Sequence, residues 1–171
     1  MKIFAYGSNM NINRLKKRVP SATRVCNASL DGYSFAFNKK SNDGSVKGNI
    51  EQTNNTNDKV WGVVFAIDEK EKDTLDEAEG LGKGYYETVI EVLGKDGQLI
   101  KAQVYIADSD AIDNSLHPYD WYKEYVVSGA KENELPEDYR GKLENFQAKE
   151  DLDKKRRQKH FTAMGKIDNP I

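Results

Sequence analysis

The four residues that follow the first apolar run of the chain have the types and the spacing of a ligand-binding loop. They are Tyr6, Gly7, Ser8 and Asn9. Glycine lets the backbone turn and lets a ligand approach it closely. Successive backbone N–H groups near the start of a helix bind anions or developing oxyanions. Segment 6–9 therefore predicts a small-molecule binding loop, and the alternative interpretation is an ordinary turn that caps a helix.

The second candidate is the carboxylate of Glu79, near the end of the acidic segment 75–80. Gly80 follows it and is a typical residue at which a helix ends. The partial negative charge of a helix C-terminus disfavours an ionised carboxylate, and partial burial acts in the same direction. A glutamate in such a place is suited to take up and return protons near neutral pH. The alternative is a carboxylate on solvated helix surface.

Metal and cofactor chemistry find little support in the sequence. Asp76 and Glu79 are spaced so that they could share a hard cation, but two carboxylates alone make weak evidence. His117 and His160 lie far apart and Cys26 has no nearby partner, which is poor support for zinc. The sequence contains neither a phosphate-binding loop of the Walker type nor a dinucleotide fingerprint. We therefore expect no metal and no cofactor.

A basic run, residues 154–159, could contact phosphate groups through charge alone. Since cations suit the C-terminal end of a helix, the sequence favours the solvated end of a terminal helix instead. Residues 146–171 contain seven Lys/Arg and four Asp/Glu, whereas the whole chain has a formal charge of −2. The overall charge gives no attraction to nucleic acid or to anionic membranes, and we expect neither as a partner.

The length and composition fit one soluble domain with a sizeable core. The chain has 171 residues, of which 37% are hydrophobic and 32% are charged. Cys26 is the only cysteine, so no intrachain disulfide can form. The sequence shows no signal peptide and no apolar run of about 20 residues, the length of a membrane helix. We therefore expect a cytoplasmic protein without a membrane span.

The hydrophobic pattern predicts the elements that must place the loop and Glu79. Strands are predicted at 2–6, in two runs within 23–38, and at 59–67, 85–93 and 99–107; helices are predicted at 11–18, 68–80, 119–130 and after Pro136. The strand at 59–67 is the strongest and is expected to be central. Residues 39–58 predict a mobile loop with a possible strand around 48–50, and roughly the last ten residues predict a tail. The order of the elements indicates an α+β fold.

Several of these segments match one protein family. Segment 6–9 resembles the signature loop of the γ-glutamylcyclotransferase family, which includes γ-glutamylamine cyclotransferases and the plant AIG2-like proteins. Segment 60–65 is similar to the central strand of the family, and segment 75–80 is similar to the stretch that carries its catalytic glutamate. Segment 128–136 is similar to a stretch of γ-glutamylcyclotransferase proper. The resemblance runs in the same order over residues 1–146.

The resemblance implies a small mixed β-barrel or curved sheet with flanking helices in residues 1–146, followed by a basic helix or tail in 147–171. It implies an enzyme in which the substrate's own α-amine attacks its γ-carbonyl, so that a γ-glutamyl group becomes 5-oxoproline and an amine or amino acid is released. The family pattern assigns catalysis to Glu79 and substrate binding to Tyr6, Gly7, Ser8, Asn9 and Tyr105. It implies a small-molecule γ-glutamyl substrate and a monomer or homodimer.

Three alternatives remain at this point. The enzyme could act on γ-glutamylamines or remove a γ-glutamyl protecting group in a biosynthetic pathway. The same fold could serve as a non-catalytic protein that binds small anions. The basic segment after residue 146 could bind an acidic partner such as RNA. Asn9 stands where glutathione-specific relatives carry leucine, which argues against that branch, and Met10 stands where many members have leucine.

Overall fold

The structure is a computed structural model that describes residues 1–166. Its strands are β1 (Lys2–Ala5), β2 (Thr23–Asp31), β3 (Tyr33–Lys40), β4 (Val46–Gln52), β5 (Lys59–Ala66), β6 (Tyr85–Gly94) and β7 (Leu99–Ala107). Its helices are α1 (Ile12–Lys16), α2 (Lys72–Glu79), α3 (Asp120–Glu132), α4 (Glu137–Asn145) and α5 (Lys154–Ala163). The predicted α+β fold, a small mixed β-barrel with flanking helices, is confirmed.

Five strands close the barrel in the order β1-β5-β2-β6-β7. β1 pairs with β5 in antiparallel orientation and with β7 in parallel orientation. β5 lies between β1 and β2, as its apolar sequence predicts, and Val63, Val64 and Phe65 in it are fully buried. Because the barrel is closed through the β1–β7 pair, the loop that follows β1 comes to lie beside the end of β7.

The possible strand around 48–50 is confirmed and is longer than predicted, so less of segment 39–58 is loop than the sequence indicated. β4 is a full strand of seven residues and pairs with β3 in a separate two-stranded sheet. Val46 and Ile50 are buried in the core, and the polar Asn49 is buried as well. The Asn49 amide accepts from the Ala107 N–H at 2.9 Å and donates to Asn38 Oδ1 at 3.1 Å. Asn49 is therefore hydrogen-bonded both to β7 of the barrel and to β3 of its own sheet, which satisfies this buried polar side chain.

The helix boundaries on either side of the site follow from their caps. The Asn11 side chain accepts from the Arg14 N–H and begins α1, as predicted, but α1 ends at Lys16 rather than Arg18. Asp68 caps a 3-10 turn that leads into α2. Gly80 ends α2 in the left-handed conformation with φ 74°, which makes Glu79 the last residue of the helix.

The basic run lies at the start of α5. The sequence predicted that these residues would lie at the C-terminal end of a helix, and this prediction is wrong. Asp153 caps the helix by accepting from the Arg156 N–H. Arg156 pairs with the fully buried Asp151, which also accepts from Trp121 Nε1 at 2.8 Å. These bonds hold α5 against α3 and outweigh the unfavourable helix dipole. The division of the chain at residue 146 stays a prediction, although residues 149–161 contact α3.

The predicted tail lies only partly within the described residues. α5 continues to Ala163, and residues 167–171 lie outside the described residues. No helix within residues 1–166 is both long enough and apolar enough to span a membrane.

His160 provides a pH-dependent contact between α5 and α3. Its ring stacks on Trp121 with centroids 3.7 Å apart. Burial lowers the pKa of His160 to about 4, helped by the charges of Arg14, Lys159 and Lys47 and opposed by that of Asp151. The unfolded chain, with an ordinary histidine pKa of 6.5, therefore binds a proton that the folded protein excludes.

We expect the melting temperature to fall as the pH drops from 6.5 to 4, because protonation of His160 favours the unfolded chain in this window. His160→Phe keeps an aromatic ring against Trp121 but removes the group that titrates. The melting temperature of this variant should therefore depend less on pH in the same window. Thermal unfolding of both proteins across this range measures the difference. Equal slopes for the two proteins would show that His160 is not the responsible group. The Asp151 pKa of about 2 places its own titration below the window.

Candidate active site

A small cleft of about 40 Å³ lies beside the loop that follows β1. All six residues predicted from the sequence contribute to its walls: Tyr6, Gly7, Ser8, Asn9, Glu79 and Tyr105. The structure therefore brings the binding loop, the end of α2 and the end of β7 to one place. Closure of the barrel produces this arrangement, since the loop and Glu79 are about 70 residues apart in the sequence.

Two neighbouring side chains hold the carboxylate of Glu79. Asn9 Nδ2 donates to Glu79 Oε1 at 2.8 Å, and Arg18 Nη1 forms an ion pair with the same oxygen. Arg18 Nη1 also donates to Asn9 Oδ1 at 2.9 Å, so the three side chains form a closed triangle. The Glu79 side chain is 18% exposed. None of the described residues donates a hydrogen bond to Oε2, which leaves this oxygen available to a ligand.

Arg18 is a site residue that sequence reasoning missed. The sequence shows only a basic residue near the end of a short amphipathic helix, which is typical of a solvated position. Arg14, one helical turn earlier, is also part of the surroundings of the cleft. Its Nε donates to Ser8 Oγ at 3.1 Å, and its guanidinium lies 4.4 Å from the centroid of the Tyr125 ring. Arg14 in α1 and Arg18 just after it thus supply two guanidinium groups beside the binding loop.

The binding loop is fixed at both ends and leaves backbone donors free. Tyr6 is buried, and its hydroxyl donates to the Tyr105 carbonyl oxygen at 2.5 Å. Ser8 and Asn9 begin a 3-10 turn, in which the first hydrogen bond runs from the Met10 N–H to the Gly7 carbonyl at 3.0 Å. The N–H groups of the first residues of such a turn have no acceptor within it, so they can bind a ligand anion.

Tyr105 contacts Asp76 rather than Glu79. Its hydroxyl donates to Asp76 Oδ1 at 2.6 Å, and Lys72 forms an ion pair with the same carboxylate oxygen. Burial and the contact with Asp76 raise the pKa of Tyr105, so the hydroxyl stays protonated at neutral pH. Asp76 and Glu79 thus have separate cationic partners, which does not favour a shared metal ion. Within residues 1–166, no group of three or more His, Cys, Asp or Glu side chains could hold one.

Two more tyrosines, Tyr85 and Tyr122, line the cleft together with Gly48 of β4. The Tyr85 hydroxyl donates to the Gly48 carbonyl at 2.5 Å, and the Gly48 N–H donates to the Tyr122 hydroxyl at 3.1 Å. Burial raises the pKa of Tyr6, Tyr85 and Tyr122, so these walls carry neutral hydroxyl groups at physiological pH. Sequence reasoning placed Gly48 in a possible strand but missed its part in the cleft, because the contacts with Tyr85 and Tyr122 join residues that are distant in the sequence.

A larger and more open groove lies between β3, β5 and α4, beside Trp61, Tyr139 and Phe146. It contains none of the residues predicted to do chemistry. Its acidic residues Asp58 and Asp138 have no arrangement comparable to the triangle around Glu79. The smaller cleft is therefore the better candidate for an active site, because its polar groups converge on one carboxylate.

A cleft with a held carboxylate, free backbone N–H groups and neutral tyrosine hydroxyls has the composition of a candidate acid–base site for a small molecule. The model of the AIG2-like family matches residues 59–143. This range includes Glu79 and Tyr105, and segment 6–9 precedes it.

Relatives extend the similarity to most of the chain. This chain is 33% identical to a γ-glutamylcyclotransferase from Homo sapiens over 150 residues. The aligned region covers 82% of this chain and 75% of that protein. This chain is also 34% identical to a γ-glutamylcyclotransferase from Mus musculus over 157 residues. This aligned region covers 86% of this chain and 79% of the mouse protein. A solved structure of a γ-glutamyl cyclotransferase matches with a TM-score of 0.81 at 30% identity, over 89% of this chain and 90% of that chain. The chain belongs to the γ-glutamylcyclotransferase family.

Proposed function

We propose that this protein is a γ-glutamylcyclotransferase, which converts the γ-glutamyl group of γ-glutamyl amino acids or amides to 5-oxoproline and releases the amino acid or amine. The observation that carries the proposal is the carboxylate of Glu79, which Asn9 and Arg18 hold in the cleft beside the loop 6–9. Family membership supports the reaction type, and the geometry of the cleft supports the residue roles.

The reaction is an intramolecular acyl transfer. The α-amino nitrogen of the substrate attacks its own γ-carbonyl carbon and forms a new C–N bond in a five-membered ring. The tetrahedral intermediate then collapses, and the bond to the leaving nitrogen breaks. The α-ammonium nitrogen loses two protons when it becomes the ring N–H, and the leaving nitrogen gains two when it becomes an ammonium group, so atoms and charges balance without water or an external reductant. The protein needs no nucleophile of its own for this sequence.

Glu79 carries the proton in this proposal. Its Oε2 faces the substrate, takes a proton from the α-ammonium group and delivers it to the leaving nitrogen, and the second proton follows the same route. Asn9 and Arg18 are positioning residues, because they fix Oε1 and thereby the direction of Oε2. A carboxylate that is already held in place loses less conformational entropy when the reacting atoms come together, which favours a near-attack geometry.

The loop 6–9 and the tyrosine walls bind the rest of the substrate. The N–H groups of Ser8 and Asn9 are donors for the substrate carboxylate or for the oxyanion of the intermediate. Tyr6 closes the floor of the cleft, and Tyr105 supplies a neutral hydroxyl that is already oriented by Asp76. Gly7 leaves open the space in front of the loop.

We expect Gly7→Val to raise KM by on the order of tenfold while the protein stays folded. A Cβ atom at residue 7 would meet only the Tyr122 hydroxyl, at an ordinary 3.8 Å, and φ at this residue is −111°. A side chain therefore meets no steric clash, so the damage comes from the space that valine takes from the substrate and from the backbone conformation with ψ −143°, which a β-branched residue disfavours. Steady-state kinetics and thermal unfolding of Gly7→Val and Gly7→Ala separate these effects. Unchanged KM and kcat in Gly7→Val would contradict the role of the loop.

The proposed function is tested with a panel of substrates and mass spectrometry of the products. A γ-glutamyl amino acid, a γ-glutamylamine and glutathione represent three classes of leaving group. We expect 5-oxoproline from at least one of the first two. A folded protein that forms no 5-oxoproline from any of the three would contradict the proposal. Binding of 5-oxoproline by this inactive protein, seen as a thermal shift, would favour the non-catalytic alternative.

A further inference from the structure

Asn133, just after the end of α3, lies behind the 3-10 turn that follows the start of the binding loop. It belongs to segment 128–136, to which the proposed function assigns no role. Its Nδ2 donates to the Met10 carbonyl at 2.9 Å and to the Gly129 carbonyl at 2.8 Å. Met10 is the last residue of the turn, and both Met10 and Asn133 are buried. This side chain therefore joins the end of α3 directly to the backbone of the turn.

Arg24 and Asn27 of β2 fix the direction of the Asn133 amide. Arg24 Nε donates to Asn133 Oδ1 at 3.0 Å, and Arg24 Nη2 donates to Asn27 Oδ1 at 2.9 Å. Asn27 Nδ2 in turn donates to the Asn133 carbonyl at 2.7 Å. A guanidinium group can only donate, so the amide oxygen of Asn133 must face Arg24. Its N–H groups must then face the Met10 carbonyl.

The backbone after Asn133 is held in a strained conformation. Glu134 has φ 52° and is the only non-glycine residue within 1–166 with a positive φ. Such a conformation costs free energy and persists only where its surroundings determine it. The Leu135 N–H bonds to the Ala130 carbonyl at 3.0 Å, and Leu135 is buried. The chain therefore turns away directly after Asn133, which leaves this residue at a fixed place behind the binding loop.

The turn transmits the position of Met10 to Glu79. Asn9 precedes Met10 in the same 3-10 turn, and its side chain donates to Glu79 Oε1 at 2.8 Å. A second bond from the end of α3 reaches the next residue, because Asn11 Nδ2 donates to the Glu132 carboxylate at 3.0 Å. A shift of the Met10 carbonyl would therefore move Asn9 and change the direction in which it holds Glu79.

We propose that Asn133 is a positioning residue for the reaction, which holds the Met10 carbonyl and thereby sets the place of Asn9 and Glu79. This inference rests on the proposed function. Asn133 is not part of the cleft wall, so it acts only through the turn. Its loss should therefore lower kcat more than it changes KM, because the geometry of the proton carrier matters most when the reacting atoms meet.

The test compares Asn133→Asp with Asn27→Asp, using γ-glutamyl-alanine as the substrate. Asn133→Asp keeps the volume and the oxygen that accepts from Arg24, but it places an oxygen against the Met10 carbonyl in place of an N–H donor. We expect kcat to fall by on the order of tenfold at a temperature at which the protein is fully folded. Steady-state kinetics measure kcat and KM, and thermal unfolding identifies that temperature.

Asn27→Asp is the matched control, because Asn27 is also buried, also accepts from Arg24 and also donates to a backbone carbonyl. It does not touch the turn, so it should lower the melting temperature to a similar extent and keep most of the kcat. Asn133→Ser is a milder second variant in case the aspartate variant does not fold. Its hydroxyl can still donate to the Gly129 carbonyl one turn back, but it is too short to reach Met10, so kcat should fall here too.

A double-mutant cycle with Asn9→Ala separates positioning from a general loss of order. Asn9→Ala removes the link between the turn and Glu79, so Asn133→Asp should have little further effect on kcat in that background. An equal fall in kcat for Asn133→Asp and Asn27→Asp, or the same factor with and without Asn9, would overturn the role of Asn133 and leave the proposed function intact. No 5-oxoproline from the unaltered protein would instead contradict the proposed function and this inference together.

Discussion

Glu79→Gln lowers kcat by roughly 10²–10⁴-fold and leaves KM and the melting temperature close to those of the unaltered protein; this is the largest effect on activity that we expect. The amide has nearly the volume of the carboxylate. Its oxygen can still accept the hydrogen bonds from Asn9 and Arg18. The substitution therefore preserves the geometry of the triangle and removes only the group that can carry a proton. Steady-state kinetics with a γ-glutamyl substrate measure kcat and KM, and thermal unfolding measures the melting temperature.

Glu77→Gln is the matched control for this prediction. Glu77 lies in the same helix, is exposed and loses the same charge on substitution. A general effect of charge on the cleft would appear in both variants, whereas a loss of proton transfer appears only in Glu79→Gln. Turnover like that of the unaltered protein in a folded Glu79→Gln variant would show that another group carries the proton.

Gly129→Ala is the second large effect, on stability and on activity together. Gly129 lies in α3 where the helix crosses the end of the binding loop, and a Cβ atom there would lie 2.6 Å from the Asn11 nitrogen and 2.8 Å from two atoms of Met10. Backbone atoms cannot yield cheaply, so overpacking should cost about 1–3 kcal/mol in the free energy of unfolding. The 3-10 turn Ser8–Met10 must shift to make room, and a displacement near 1 Å in a site can lower activity by on the order of 10²-fold.

Gly141→Ala is the control for Gly129→Ala, since it places the same methyl group in the interior of another helix. A Cβ atom at Gly141 meets no other atom within 4 Å. Alanine should therefore stabilise α4 by about 0.5–1 kcal/mol, the intrinsic preference of a helix for alanine over glycine. Urea unfolding gives both free energies. Stabilisation in both variants would contradict the close contact between α3 and the loop.

Local sequence patterns predicted the elements whose signals are local. The apolar run of β5 and the alternation in β6 and β7 indicate strands. Gly80 marks the end of α2, and the loop 6–9 contains the glycine and the short polar residues that are typical of a turn. The position of Glu79 before Gly80 already made it a candidate, and the family resemblance added the role of Tyr105, which no local pattern defines. These predictions depend only on residues that are neighbours in the chain or on a known motif.

The features that sequence reasoning missed depend on contacts between distant residues. Arg18 meets Glu79 across 61 positions, so its part in the site becomes visible only when the barrel closes. The sequence predicted only a possible strand around 48–50, and the full length of β4 depends on contacts such as the buried bond from the Ala107 N–H to Asn49. The basic run begins α5 because Asp151 accepts from Arg156 across the turn before the helix. Periodicity and propensity contain no information on such pairs.

The central claim, that the substrate's own α-amine displaces the leaving group, is tested most directly by product analysis in water enriched in the heavy isotope of oxygen. γ-Glutamyl-alanine is incubated with the protein, and mass spectrometry identifies the products. We predict 5-oxoproline and alanine in equal amounts, with no solvent oxygen in the ring, because ring closure uses no water. Glutamate that carries the heavy isotope would show hydrolysis instead and would contradict the account.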